Sequence, residues 1–210
     1  MGFGQLKANQ EIEIKLEIVD KSQVEYIEEY IQKQASKEFK KIQMKAIYYD
    51  TVDECLQKQK VAYRVRQEND CFVATYKSGK INEQNVFERV EINKDVKNMK
   101  PDISVFVEET EIWPKLKAIK NSEFKPIVIT DFVRKCTDIS WNKSMIELAL
   151  DIGFVQGKEQ QAPLYEVELE LKSGTIDDLL AYKQELETMF NLVASPISKY
   201  KKGLILAGQI

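Results

Sequence analysis

The sequence predicts an α+β fold in which an antiparallel sheet of eight strands closes into a barrel, with helices packed outside it. Segments in which apolar and polar residues alternate recur along most of the 210-residue chain, and this period of two is that of a β-strand. Turn residues separate neighbouring segments, as expected for strands joined by hairpins. An antiparallel sheet of about eight strands tends to curl and close on itself.

The first half of the chain contains five predicted strands and one long helix. The helix opens at Ser22, with Glu25 three residues later as in a capping box, and it fades near Ser36. Residues 51–60 are predicted to form a turn or a short helix. The predicted strands cover residues 10–18, 44–50, 61–68, 71–77 and 85–93.

The second half continues the series after a segment of a different pattern. Residues 94–122 have a mostly helical pattern that Pro114 should interrupt, which predicts two short helices or a broken one covering an end of the barrel. Thr175, with Asp178 three residues later, caps a second amphipathic helix. The sequence shows no linker and no exact repeat, so residues 1–210 are predicted to form a single domain. The remaining strands are predicted at 127–141, 145–155, 164–171 and, carrying Lys199, after Pro196.

Composition and charge exclude several classes of protein. Charged residues make up 31% and apolar residues 43% of the chain, as in a folded globular protein, and no apolar run approaches the roughly 20 residues of a membrane span. The net charge of -3 gives no basic field for nucleic acid. Because the chain has no histidine, it cannot form a histidine triad, a histidine zinc site or an imidazole base. Three widely spaced cysteines and the absence of a secretory signal in residues 1–10 favour a cytoplasmic location.

Most predicted strands present a row of charged side chains on one face. In the first strand, Glu11, Glu13 and Lys15 share the face opposite Ile12 and Ile14. On an open sheet such rows would face water. The basic members of all the rows are Lys15, Arg64, Arg66, Lys77, Arg89, Arg134 and Lys199, and the acidic members are Glu11, Glu13, Glu91, Glu147, Asp151, Glu166, Glu168 and Glu170.

A closed barrel could turn these rows inward. Its lumen would then hold about as many cations as anions, and so many charges cannot remain desolvated without a ligand. Arginine and lysine bind phosphate oxygens, and carboxylates bind Mg²⁺ or Mn²⁺. The pattern therefore suits a polyanion that is bound together with divalent cations.

Eight short motifs follow one another along nearly the whole chain. They are Glu-x-Glu-x-Lys at 11–15, Tyr-Tyr-Asp-Thr at 48–51, Ala-Tyr-Arg-Val-Arg at 62–66, Thr-Tyr-Lys at 75–77, Glu-Arg-Val-Glu at 88–91, Glu-Leu-Ala-Leu-Asp at 147–151, Glu-Val-Glu-Leu-Glu-Leu-Lys-Ser-Gly at 166–174 and Ser-Lys-Tyr at 198–200. In this order they resemble the CYTH superfamily, the triphosphate tunnel metalloenzymes.

The resemblance implies a closed eight-stranded tunnel, a triphosphate substrate and a Mg²⁺ or Mn²⁺ cofactor. Glu166 is expected to lie at the tunnel mouth and to bind no ligand. The metal-binding positions implied are Glu11, Glu13, Glu147, Asp151, Glu168 and Glu170. The substrate-binding positions implied are Lys15, Arg64, Arg66, Lys77, Arg89, Arg134 and Lys199. The catalytic positions are Glu168, Glu170 and Lys199.

The leading functional interpretation is metal-dependent hydrolysis of inorganic triphosphate, and also of nucleoside triphosphates. One alternative is a class IV adenylate cyclase that makes cyclic AMP from ATP. Another is a thiamine triphosphatase, for which Trp113 and Trp141 are the candidate stacking residues, and a third is a non-catalytic polyphosphate- or nucleotide-binding module. The expected partner is a small-molecule triphosphate rather than nucleic acid or a membrane, and the oligomeric state stays open, a dimer being one option.

Overall fold

The computed structural model describes residues 9–35 and 38–210. Two parts of the prediction lie outside the described residues. One is segment 1–8, which holds most of the stretch predicted to lack a secretory signal, and the other is Ser36, the predicted end of the first helix. The strands are β1 Gln10–Ile18, β2 Lys40–Thr51, β3 Val61–Glu68, β4 Cys71–Ile81, β5 Val86–Val96, β6 Phe124–Trp141, β7 Ser144–Gly157, β8 Gln160–Ser173 and β9 Leu192–Ala194. The α-helices are α1 Val24–Gln34, α2 Cys55–Lys58, α3 Trp113–Lys117, α4 Ile176–Met189 and α5 Lys199–Leu206, and short 3-10 helices lie at Lys21–Gln23 and Ile103–Phe106.

Strands β1 to β8 form the closed antiparallel barrel that the sequence predicts. Their order is β5-β4-β3-β2-β6-β7-β8-β1, and pairing of β1 with β5 closes the ring. The seam extends from Gln10 opposite Val90 to Ile14 opposite Val86. The ninth strand is outside the ring and pairs only with the last residues of β1.

The apolar faces of most strands, β2 and β6 excepted, point outward and are covered by helices. Ile14 and Leu16 of β1 pack with Ile27 of α1 and Leu186 of α4 in one buried cluster. Burial of such side chains stabilises the fold by roughly 1.5–3 kcal/mol each. The outer cover of the barrel therefore leaves the opposite, charged faces of these strands to line its interior.

Two details of the helix starts can be compared with the prediction. Asp20, not Ser22, caps the first helical segment, because the Asp20 side chain accepts a hydrogen bond from the Ser22 N–H at 3.0 Å. The prediction at Thr175 is confirmed, since its hydroxyl accepts a hydrogen bond from the Asp178 N–H.

Segment 94–122 forms two short helices, as predicted, but it covers a side of the barrel rather than an end. Pro114 does not break a helix; it lies in the first turn of α3, where a missing N–H leaves no helical bond unmade. Phe106 and Leu116 pack against Tyr63 on the outer face of the sheet.

The predicted last strand carrying Lys199 is wrong. The short β9 ends before Pro196, and Lys199 is instead the first residue of α5. Ser198 caps this helix by accepting a hydrogen bond from the Lys201 N–H at 3.2 Å. The helix approaches β7 very closely, since a Cβ on Gly157 would collide with the carbonyl oxygen of Gly203. Among the described residues, no helix is long and apolar enough to span a membrane.

Candidate functional site

The interior of the barrel is a cavity of about 1050 Å³ lined mainly by the charged rows. Of the predicted site residues, all but Asp151 line it, and Asp151 lies fully buried directly behind Arg134. The lining residues that the sequence predicted are Glu11, Glu13, Lys15, Arg64, Arg66, Lys77, Arg89, Arg134, Glu147, Glu168, Glu170 and Lys199.

Strand β1 supplies a chain of ion pairs across the seam of the barrel. Lys15 donates to Glu13 at 3.0 Å and also contacts Glu168 of the neighbouring strand β8. On the other side, Arg89 of β5 contacts Glu13 and lies 3.9 Å from Glu11. The alternation of β1 thus places carboxylates and an ammonium side by side within the tunnel.

Lys77 on β4 holds a second group of carboxylates. Its ammonium lies 2.7 Å from a carboxylate oxygen of Glu11 and 2.7 Å from one of Glu91. Arg66 and Arg64 approach Glu91 at 3.5 and 3.9 Å. The sequence predicts Glu91 as a member of a charged row but not as a site residue. The structure places it in the tunnel beside Lys77, Arg64 and Arg66.

The two carboxylates beside Lys77 differ in acidity. Burial raises the pKa of Glu11 to about 8, although Lys77 opposes this. Burial also disfavours the charged form of Glu91, but Lys77 and Arg64 outweigh it and lower the pKa of Glu91. The Oε2 atom of Glu11 is buried and accepts no hydrogen bond from any residue within 9–35 and 38–210. Arg89 lies 3.9 Å from this oxygen, too far for a hydrogen bond, so the oxygen can still accept a contact from a ligand that supplies positive charge.

A third group lies where β6, β7 and β8 meet helix α5. Oxygen atoms of Asp151, Glu166 and Glu168 all lie within 4.8 Å of one another. The ammonium of Lys199 lies 2.8, 2.5 and 2.7 Å from these three residues in turn. Glu166 is only 6% exposed, so the expectation that it lies at the tunnel mouth without a partner is wrong.

The groups around Lys199 hold one another in their charged forms, with one exception. Burial opposes the charge on Lys199, but Asp151, Glu166 and Glu168 raise its pKa well above the usual value. Burial likewise opposes the charge on Glu168, and Lys15 and Lys199 lower its pKa. Burial raises the pKa of Glu166 to about 7 in spite of Lys199.

A fourth group of carboxylates lies nearer to solvent, towards the end of the barrel where β1 begins. Strand register places Glu170 opposite both Glu13 and Glu147. Lys172 is the nearby cation, at 2.9 Å from Glu170 and 3.5 Å from Glu147, and its side chain is 37% exposed. Burial raises the pKa of Glu170.

One side of the tunnel wall is apolar, which the sequence reasoning did not predict. Ile42, Met44 and Tyr48 of β2, with Phe132 and Cys136 of β6, line the cavity. Phe132 and Cys136 share a face of β6 with Arg134, so the alternation that places Arg134 in the tunnel places these two apolar side chains there as well. The lumen is thus amphipathic, with charges on most strands and an apolar wall formed mainly by β2 and β6.

The Tyr-Tyr-Asp-Thr motif has a structural explanation in part. The carboxylate of Asp50 accepts hydrogen bonds from the backbone N–H groups of Thr51, Leu56 and Gln57 at 2.7, 2.8 and 2.9 Å, and so fixes the turn into α2. Tyr48 points into the tunnel, where its hydroxyl accepts a hydrogen bond from Arg64 at 3.2 Å.

Neither tryptophan contributes to the tunnel. Trp141 packs against Tyr182 of α4 with ring centroids 4.8 Å apart, and Trp113 borders the outer cluster around Tyr63. The residues proposed for stacking in a thiamine triphosphatase therefore lie on the outside of the barrel.

Comparison with known proteins agrees with this geometry. The family model described as CYTH domain matches residues 9–204. An inorganic triphosphatase from Haemophilus influenzae is 30% identical over 200 residues, which are 95% of this chain and 56% of that protein, so the chain spans little more than half the length of this curated relative.

Solved structures with the same fold are more distant in sequence. A candidate adenylyl cyclase from Hippeastrum, reported to have a dominant triphosphatase activity, has a TM-score of 0.68 at 17% identity over 95% of this chain and 97% of its own. A candidate adenylate cyclase from Bacillus halodurans has a TM-score of 0.53 at 20% identity over 90% of this chain and 95% of its own. At these identities the likeness concerns the fold.

Proposed function

Because the chain belongs to the CYTH domain family, we propose that it is a divalent-metal-dependent triphosphatase whose principal substrate is inorganic triphosphate. The observation that carries the proposal is the convergence of basic and acidic side chains on one interior cavity. The activity named for the Haemophilus influenzae relative points to the same reaction.

The phosphate chain would bind to the basic side chains on β1, β3, β4, β5 and β6. Arg64 is well suited, because its Nε is buried without a hydrogen-bond partner among the residues described. Guanidinium groups hold phosphate oxygens in paired hydrogen bonds. The remaining proposed phosphate contacts are Lys15, Arg66, Lys77, Arg89 and Arg134.

The divalent cation, Mg²⁺ or Mn²⁺, would be held by Glu11, Glu13, Glu170 and Glu147. These residues are chosen because all offer carboxylate oxygens, Glu11 Oε2 accepts no hydrogen bond from a described residue, and Glu170 lies between Glu13 and Glu147 in the sheet. Within the described part of the chain their oxygens do not converge as those of Asp151, Glu166 and Glu168 do, so the ion would have to draw them together. When bound, the ion would neutralise phosphate charge and align the chain for in-line attack.

The carboxylates would also direct the water. Glu168 is kept ionised by Lys15 and Lys199, so it can accept a hydrogen bond from water and orient it. The raised pKa of Glu170 makes this residue the better proton acceptor. The water oxygen bonds to the terminal phosphorus, the bond to the bridging oxygen breaks, its electron pair leaves with diphosphate, and the water proton passes to the carboxylate.

The apolar wall favours a second class of substrate. Ile42 and Met44 of β2 and Phe132 of β6 line the cavity beside the basic strand β3, and a cavity of about 1050 Å³ leaves room beyond a phosphate chain. Apolar and aromatic surfaces of this kind hold the organic part of a ligand. We therefore include nucleoside triphosphates such as ATP among the substrates.

The test is to compare inorganic tripolyphosphate, ATP and thiamine triphosphate, each with Mg²⁺, with Mn²⁺ and with a chelator. The proposal predicts phosphate release that is greatest with tripolyphosphate, lower with ATP and lost with the chelator. Formation of cyclic AMP from ATP without phosphate release would instead identify a cyclase. Binding of tripolyphosphate without turnover would identify a binding module.

A further inference from the structure

We infer that the ammonium of Lys199 is a built-in cation that occupies the acidic cluster of Asp151, Glu166 and Glu168 and excludes a divalent metal ion from it. The inference rests on the proposed function, because it divides the tunnel carboxylates into those that recruit metal and those that do not. It also assigns to Lys199 a role different from the substrate contact that the sequence suggested.

The contacts of Lys199 surround its ammonium with carboxylates. Its N–H groups donate hydrogen bonds to Glu166 at 2.5 Å and to Glu168 at 2.7 Å, and the nitrogen also forms an ion pair with Asp151 at 2.8 Å. Two of the three N–H groups of the ammonium are therefore already used. A phosphate would have to compete with three carboxylates for this cation.

The cluster also has no excess negative charge without a metal ion. Its three acidic side chains face three cations, because Arg134 donates to both oxygens of Asp151 at 2.8 and 2.7 Å and Lys15 contacts Glu168 in addition to Lys199. A divalent ion in the same place would meet the Lys199 charge at short range in a buried setting, where repulsion is poorly screened.

The backbone holds Lys199 in this position. It is the first residue of α5, directly after the capping residue Ser198, and the close approach of Gly203 to Gly157 fixes the helix against β7. The side chain is buried, and its ammonium lies 5.2 Å from the centroid of the Phe132 ring. In the described part of the chain, the cation that pairs with Glu170 and Glu147 is Lys172, whose side chain is partly exposed and not buried like that of Lys199.

The experiment counts bound Mn²⁺ by titration calorimetry in the absence of substrate, so that it does not depend on turnover. K199M should bind one Mn²⁺ more than the wild type, because the vacated cluster then has three oxygen ligands and excess negative charge. K199R retains the charge and should bind the wild-type number. K202M removes a lysine of the same helix whose ammonium donates to the Pro163 carbonyl at 3.2 Å, and it should also leave the number unchanged.

A second variant keeps the inference testable if K199M does not fold. D151N should leave the wild-type Mn²⁺ number unchanged, whereas E13Q should reduce it or weaken binding about 10-fold or more. The inference is overturned if folded K199M gains no ion, or if D151N loses one. Failure of the proposed function would be seen separately, as absent hydrolysis with these ion counts intact.

Discussion

Arg134 of β6 and Asp151 of β7 lie opposite each other and form a bidentate ion pair. Arg134 Nε donates to Asp151 Oδ1 at 2.8 Å, and Arg134 Nη2 donates to Asp151 Oδ2 at 2.7 Å. Asp151 is fully buried. Without Arg134 the buried carboxylate of Asp151 would keep one cation, Lys199 at 2.8 Å, instead of two. Because removal of one partner from a buried ion pair is destabilising, Arg134 contributes to the stability of the barrel.

The first prediction concerns this pair. R134M should lower the free energy of unfolding by about 3 kcal/mol, the usual cost of breaking a buried pair by removing one partner, as measured by urea unfolding. K183M removes the partly exposed i,i+4 pair of Lys183 with Glu187, and it should change stability by about 0.5 kcal/mol or less. Equal effects of the two substitutions would contradict the structural role given to Arg134.

The second prediction compares two glutamates of strand β1. E13Q should lower metal-dependent turnover of tripolyphosphate by about 100-fold, because a ligand to the charge-neutralising ion is lost. Glu17 is on the same face of the same strand but is exposed beyond the tunnel, so E17Q should retain activity. Steady-state rates at saturating Mg²⁺ test this, and full activity of E13Q would rule out the metal assignment.

The third prediction concerns substrate binding. R66M should raise the KM for tripolyphosphate by roughly 10-fold or more while kcat changes little, because a charge-assisted hydrogen bond to the ground-state phosphate chain is lost. Lys45 is exposed on the outer face of β2, and K45M should leave KM unchanged. A fall in kcat at constant KM for R66M would show that Arg66 acts in the transition state instead.

The fourth prediction uses the contacts of Asp178 at the start of α4. Its carboxylate accepts hydrogen bonds from Ser144 at 2.6 Å and Asn142 at 3.0 Å, and these lower its pKa below the unfolded value of 3.8. The stabilisation is therefore complete above pH 3.8 and is lost as the pH falls through the lower folded pKa.

Urea midpoints of the wild type and D178N test this point. The wild type should be more stable near neutral pH, and the difference should shrink in acid at about pH 3. D177N, which changes the neighbouring exposed carboxylate, should show no comparable change with pH. A difference between wild type and D178N that stays constant from neutral to acid pH would contradict the explanation.

Much of the fold could be predicted because strands have a simple period. Alternation along residues 10–18 gave the bounds of β1, and the same rule located the other seven barrel strands, although β2 begins at Lys40 and β8 at Gln160, earlier than expected. The error at Lys199 has a physical reason. Its helix is eight residues long and contains Gly203, which is a poor helix former, so the helical period was hard to recognise.

The sequence could predict which residues line the candidate site, but not which of them form ion pairs with one another. Alternation determines which side chains enter the tunnel, whereas the register between strands decides which of them meet. Only the register shows that Arg134 lies opposite Asp151 and that Glu170 lies between Glu13 and Glu147. Strand patterns could not identify the partner of Glu166. This partner is Lys199, which lies 33 residues further along the chain, in helix α5.

The measurement that tests the account most directly is phosphate release from tripolyphosphate by the purified chain before and after Mg²⁺ is added. The account predicts no release without the ion, rapid release on its addition, and loss of activity when a chelator removes it. Release that continues unchanged in the chelator, or no release with either Mg²⁺ or Mn²⁺, would contradict the claim that this tunnel is a metal-dependent triphosphatase.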